Sequence, residues 1–115
     1  MSTIDLTDIP KRYPKLYKHN ITFECHHGWA KIIDNLSRDL EKLIDDDMEE
    51  CYAVQVKEKY GALRLYMSCE TDKMSDLIEK AEDLSIHTCE VCGEPGQLMS
   101  KFRWLFTRCE KHKDV

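Results

Sequence analysis

No run of about 18 apolar residues occurs in the 115-residue chain, which excludes a membrane-spanning helix of the usual kind. Nor does an apolar core follow the charges of the opening MSTIDLTDIPKRYPK, as a secretory leader would require. The expected location is therefore the cytoplasm, with no membrane partner. Positive charge is in deficit, 17 Lys and Arg against 22 Asp and Glu, for a formal net charge of -5. A whole-protein field that draws in nucleic acid is thereby excluded, although a local basic patch is not. Internal repeats and low-complexity tracts are missing too, and the length supports one compact unit rather than two independent cores.

Proline is scarce, and two of the three, Pro10 and Pro14, fall in the first stretch. IPKRYPKLYKHNITFECHHG has no sustained helical period and reads as an extended or single-turn lead-in, with Leu16, Tyr17, Ile21 and Phe23 as anchors. The adjoining segment is strongly patterned. Trp29, Ile32, Ile33, Leu36, Leu40, Leu43 and Ile44 recur at spacings of three and four, the stripe of an amphipathic helix. Asp45, Asp46 and Asp47 then sit at the negative end of its macrodipole, where local propensity would not place them. They form either a solvated turn or an acidic contact surface.

In YAVQVKEKYGALRLYM the apolar residues alternate, which predicts a hairpin looping through Glu58 to Gly61. Val56 would face Leu63, Val54 face Leu65 and Tyr52 face Met67, with Gln55, Lys57 and Arg64 on the other side. Lys57, Lys59 and Arg64 make this hairpin tip either a basic contact surface or the wet side of a ribbon. A second helix starts at Thr71 or Asp72 and carries Met74, Leu77, Ile78, Ala81, Leu84 and Ser85 on one side. Beyond it, QLMSKFRWLFTRC offers two strand-like pieces around a turn near Ser100 and Lys101.

Six cysteines without a leader read as thiols or metal ligands rather than as a disulfide framework. Cys89-x2-Cys92 and Cys109-x2-His112 are the two ligand pairs of a tetrahedral structural Zn2+ site. Gly93, directly after Cys92, supplies the positive φ that such a knuckle needs. A thioredoxin-like pair would open a helix after a strand, whereas this pair follows a helix. A catalytic zinc would keep an open position, and four protein ligands leave none. An HNH-type nuclease would need histidine and asparagine near the pairs, and none lies between Cys92 and Cys109.

Cys25, His26 and His27, with Cys51 or Cys69, lack ligand-pair spacing for a second metal. The hairpin register sends Cys51 and Cys69 to opposite faces, so free buried thiols are expected rather than a bridge. Lys101, Arg103, Arg108, Lys111 and Lys113 give the tail a basic cast interleaved with Phe102 and Trp104, nearly cancelled by Glu90, Glu94, Glu110 and Asp114.

RYPKLY, FECHHGW, VKEKYGALRLY and SIHTCEVCGEPG, followed by Trp104, Thr107 and the terminal Cys-x2-His, resemble a family of small bacterial and prophage or phage proteins with a C-terminal zinc ribbon. The likeness spans most of the chain, with Ala62 where a second glycine is expected. It implies a phage- or prophage-encoded origin and a host protein as partner, a defence-system component included, and brings no activity with it.

The expected fold is α+β, two amphipathic helices packed on a β-hairpin. Residues 1–87 would form the core and 88–115 a zinc ribbon continuous with it. The expected function is non-enzymatic binding of a host protein, through Asp45, Asp46 and Asp47 or through Lys57, Lys59 and Arg64. The alternative is a nucleic-acid-binding zinc ribbon.

Overall fold

The computed structural model describes residues 5–114, so the outermost ends of the two expected units, residues 1–4 and 115, lie outside it. Pro10 stands at the head of a short helix, α1 (Ile9–Arg12), where a missing backbone N–H leaves nothing unpaired. The chain then runs through RYPKLY to a two-residue strand, β1 (Phe23–Glu24), and into α2 (Ala30–Lys42).

The stripe of α2 is buried as its spacing predicts: Trp29, Ile33, Leu36, Leu40 and Ile44 lie in the core, with Ile32 and Leu43 half-buried against it. Each such aliphatic side chain contributes roughly 1.5–3 kcal/mol on leaving water. Two polar residues share that buried face, and the lead-in exists in part to satisfy them. Tyr13 Oη donates to Asp34 Oδ1 at 3.0 Å, with the Arg12 guanidinium 3.1 Å from the same oxygen, and Tyr17 Oη lies 2.6 Å from Ser37 Oγ. Leu16 and Tyr17 are buried anchors, while Ile21 and Phe23 are only partly covered.

The hairpin is β2 (Ala53–Lys59) and β3 (Ala62–Met67), joined by Tyr60 and Gly61 at φ 54° and 82°. Two consecutive positive φ values make the two-residue loop whose twist suits an antiparallel pair. The four-residue loop expected from Glu58 to Gly61 is thus corrected, and with it the register. Val56 faces Leu65, Lys57 faces Arg64 and Glu58 faces Leu63. A bulge between Ala53 and Gln55 then turns Val54 out to solvent and buries Ala53 instead. Beyond the bulge Ala53 faces Met67, and two residues further out Cys51 and Cys69 are brought opposite each other. They are disulfide-bonded, with Cα atoms 5.1 Å apart. The expectation of two free thiols on opposite faces fails because alternation was extended across an unseen bulge, and one extra residue inverts the face of everything outside it.

β1 adds to the free edge of β2 in parallel, Phe23 beside Val56, giving a sheet ordered β1-β2-β3. Helix α3 (Asp72–Ser85) is capped by Thr71, whose Oγ1 accepts from the Met74 N–H. Met74, Ile78, Ala81 and Ser85 are buried, while α3 packs on α2 and on β3. A second sheet, β4 (Gln97–Lys101) with β5 (Trp104–Arg108), completes a mixed α+β fold of three α-helices and two small sheets among the described residues. Its turn falls at Phe102 and Arg103, with φ 52° and 67°, two residues beyond the expected place. No helix among the described residues is long and apolar enough to cross a membrane.

Candidate metal centre

The C-terminal sheet is docked on the core rather than strung from α3. Ser85, at the end of α3, accepts from the Leu63 N–H at 2.9 Å, and Trp29 Nε1 donates to the Thr88 carbonyl at 2.9 Å. Thr107 is fully buried and its hydroxyl donates 2.7 Å to the Gly61 carbonyl at the β2–β3 turn. The first ligand turn rests directly on Gly28, whose N–H donates to the Glu90 carbonyl at 2.7 Å. A Cβ on Gly28 would fall 2.3 Å from the Cys89 carbonyl oxygen, so only glycine permits this approach.

Within the turn the Gly93 N–H donates to the Cys89 carbonyl at 2.9 Å, and Gly93 itself takes φ 82°, as its place after Cys92 predicts. The second turn closes with the His112 N–H on the Cys109 carbonyl at 3.1 Å. Between the two turns, the Glu90 N–H donates to the Thr107 carbonyl at 2.9 Å. Glu90 and Arg108 add an ion pair: Arg108 Nε donates to Glu90 Oε1 at 2.8 Å, with the side chains only 4% and 13% exposed respectively. The two residues that composition treats as cancelling surface charges are therefore a buried clasp, each one position from a cysteine ligand.

This scaffold brings Cys89, Cys92, Cys109 and His112 together, with one ligand atom from each lying within 4.8 Å of all the others. Cys92 Sγ to Cys109 Sγ is 3.7 Å, Cys89 Sγ to His112 Nδ1 is 3.8 Å and Cys109 Sγ to His112 Nδ1 is 3.2 Å. A tetrahedron with metal–sulfur bonds of about 2.3 Å and metal–nitrogen bonds of about 2.0 Å has edges of about 3.8 Å (S–S) and 3.5 Å (S–N). The side chains are thus already spaced to hold a metal ion.

Electrostatics favour a cation here. Burial alone would raise the Cys89 thiol, but the backbone N–H groups of Cys92, Cys109 and Val91, with the Cys109 side chain, bring it down to about 6. At Cys92 the Glu94 N–H favours the thiolate, yet desolvation and the Cys89 and Cys109 sulfurs together push the thiol up. One thiolate forms readily and the next resists, the pattern that a divalent ion relieves.

No family model, curated protein or solved structure matches this chain. Its own geometry therefore carries the functional reading.

The remaining candidate residues lie elsewhere. Asp45, Asp46 and Asp47 are exposed in the turn after α2, with Lys15 Nζ 3.1 Å from Asp46. Lys59 is exposed with its ammonium 5.5 Å from the Tyr60 ring centroid, Lys57 is half-buried, and Arg64 is engaged with Glu82 at 3.0 Å. Cys25 is half-buried, and burial, followed by Glu90 and Glu58, pushes its thiol up to about 12, which makes it a poor ligand. Among the described residues the Cys89 quartet is the one group of three or more potential ligands. Gly28, Glu90, Thr107 and Arg108 are positioning residues that the sequence reading did not identify. The placement of Glu90 inside the first ligand pair and of Arg108 beside the second was the signal for two of them.

Proposed function

We propose that the chain is a non-enzymatic binding protein whose segment 88–115 is a zinc ribbon, with structural Zn2+ held by Cys89, Cys92, Cys109 and His112. The observation that carries this reading is the mutual approach of four good ligand atoms, which fills a tetrahedral shell and leaves no position for substrate. The ion's work would be to join the two turns, and Glu90, Arg108 and Gly28 would hold those turns in place. Chelation followed by amide NMR tests it. Loss of metal should collapse the β4–β5 signals, and unchanged signals would refute the role.

The resemblance to phage and prophage proteins supports a host protein as partner, with the exposed acidic turn at Asp45, Asp46 and Asp47 as a surface for it. A nucleic-acid reading is favoured by a different observation, the pair of exposed aromatics, Phe102 and Trp104, set among lysines and arginine at the end of β4–β5. Affinity capture from the native host, with metal measured on the same preparation, separates the two. A clean protein partner supports the first and co-purifying nucleic acid the second.

A further inference from the structure

Alternation along β4 and β5 puts Leu98 and Thr107 on the side facing the Gly61 turn, and Lys101, Trp104 and Phe106 on the other. On that outer side lies a recess of about 390 Å³. Its floor is the buried Phe106 ring, with the Arg108 guanidinium 4.6 Å from the ring centroid. Trp104 and Phe102 form its walls, 69% and 93% exposed. Lys101 and Lys113 stand at its edge with Asp114 beside them and Glu110 paired to Lys113, and Arg103 is exposed in the adjoining turn.

Three features need one explanation. The first is the exposure of two large aromatic rings at a place where folding gains nothing from them. The second is the turn itself: Phe102 and Arg103 occupy two consecutive left-handed positions, which Asn-Gly would fill without strain. Such strain persists where a side chain is kept for something other than stability. The third is charge, since lysine is depleted in protein–protein interfaces but is the natural partner of phosphate. Lys101 is 3.9 Å from Asp114 and Lys113 is 2.7 Å from Glu110, exposed pairs that a phosphate readily displaces.

We infer that the tip of the β4–β5 hairpin binds single-stranded nucleic acid, bases stacking on Trp104 and Phe102 while Lys101, Arg103 and Lys113 meet the phosphates. The inference deepens the nucleic-acid reading above and rests on it. A splayed strand is required because the rings can stack only on bases that are not already stacked in a duplex. Arg108 serves the fold through Glu90, so the phosphate contacts fall to the other three cations.

Fluorescence anisotropy of labelled oligo(dT) and oligo(rU) against the metal-loaded full chain tests this, at about 50 mM and about 200 mM salt, with duplex DNA as competitor. Binding to either probe is expected, weakened roughly 5- to 100-fold by Trp104→Ala or Phe102→Ala. Each of Lys101→Gln, Arg103→Gln and Lys113→Gln should lower the slope of log affinity against log salt by about 0.7. Trp104 emission should be quenched on binding, because the other tryptophan, Trp29, is fully buried. Replacing Phe102-Arg103 by Asn-Gly should raise the melting temperature yet abolish binding, which separates a lost surface from a lost fold. Binding that survives both aromatic substitutions, or that duplex competes away equally well, would overturn the assignment of the tip while leaving a nucleic-acid partner standing. No binding to either probe at low salt would overturn both.

Discussion

Gly28→Ala is the sharpest single test of how the C-terminal sheet is attached. The new methyl would sit 2.3 Å from the Cys89 oxygen and 2.4 Å from the carbonyl carbon and oxygen of Glu90. All three are backbone atoms of the ligand turn, so no rotamer change relieves the clash. The turn must retreat by about an ångström, at a cost of roughly 1–3 kcal/mol for overpacking. That retreat also stretches the 2.7 Å bond from the Gly28 N–H to the Glu90 carbonyl, worth about 0.5–1.5 kcal/mol. A total of about 1.5–4.5 kcal/mol corresponds to a melting temperature lowered by roughly 6–18 °C in a domain of this size. Scanning calorimetry of the metal-loaded protein reads it, with exposed His27→Ala as the neighbouring control, expected within about 0.5 kcal/mol of the parent. A Gly28→Ala protein melting within about 2 °C of the parent would refute the docking argument.

Glu90→Gln should cost about 1–3 kcal/mol, because it replaces the buried carboxylate that faces the Arg108 guanidinium with a neutral acceptor; a double-mutant cycle of the two residues with no coupling would contradict the clasp. Stability should also fall above pH 10. Tyr17 is raised from its ordinary 10.0 by burial first and then by Asp34, and Tyr13 is raised by burial and by its hydrogen bond to Asp34. Both phenols stay protonated in the folded chain after they ionise in the unfolded one, so the stability present below pH 10 is lost as pH rises towards the folded values. Urea unfolding against pH should show that decline, shallower in Tyr17→Phe. Removing the Cys51–Cys69 bond, which spans a sequence separation of 18, should cost about 3 kcal/mol, and a Cys51→Ala, Cys69→Ala protein within about 0.5 kcal/mol of the parent would contradict it.

Long helical periods were legible without coordinates. The α2 stripe from Trp29 to Ile44 and the α3 stripe from Met74 to Ser85 each repeat often enough that spacing alone dictates burial. Hairpin register was not legible, because it depends on where the loop begins and on a bulge that adds one residue. Tyr60 and Phe102 take left-handed conformations that glycine or asparagine would normally signal, so both turns were misplaced. The parallel strand at Phe23 and Glu24 is too short to show a period and exists through its partner, Val56 and Lys57. The convergence of Cys89, Cys92, Cys109 and His112 was legible because its spacing is local, two residues within each pair. Its support was not, since Gly28 and Gly61 meet the ligand-bearing segment only after the chain has folded back on itself.

The bond between Cys51 and Cys69 divides the six cysteines into two chemical populations. One pair is oxidised, while Cys25, Cys89, Cys92 and Cys109 are not disulfide-bonded.

X-ray absorption at the zinc edge on gently purified protein, with metal stoichiometry from the same sample, tests the central claim most directly. One zinc per chain with about three sulfurs at about 2.3 Å and one nitrogen at about 2.0 Å is the predicted result. Protein without bound metal, or with Cys92 and Cys109 oxidised to each other, would contradict it.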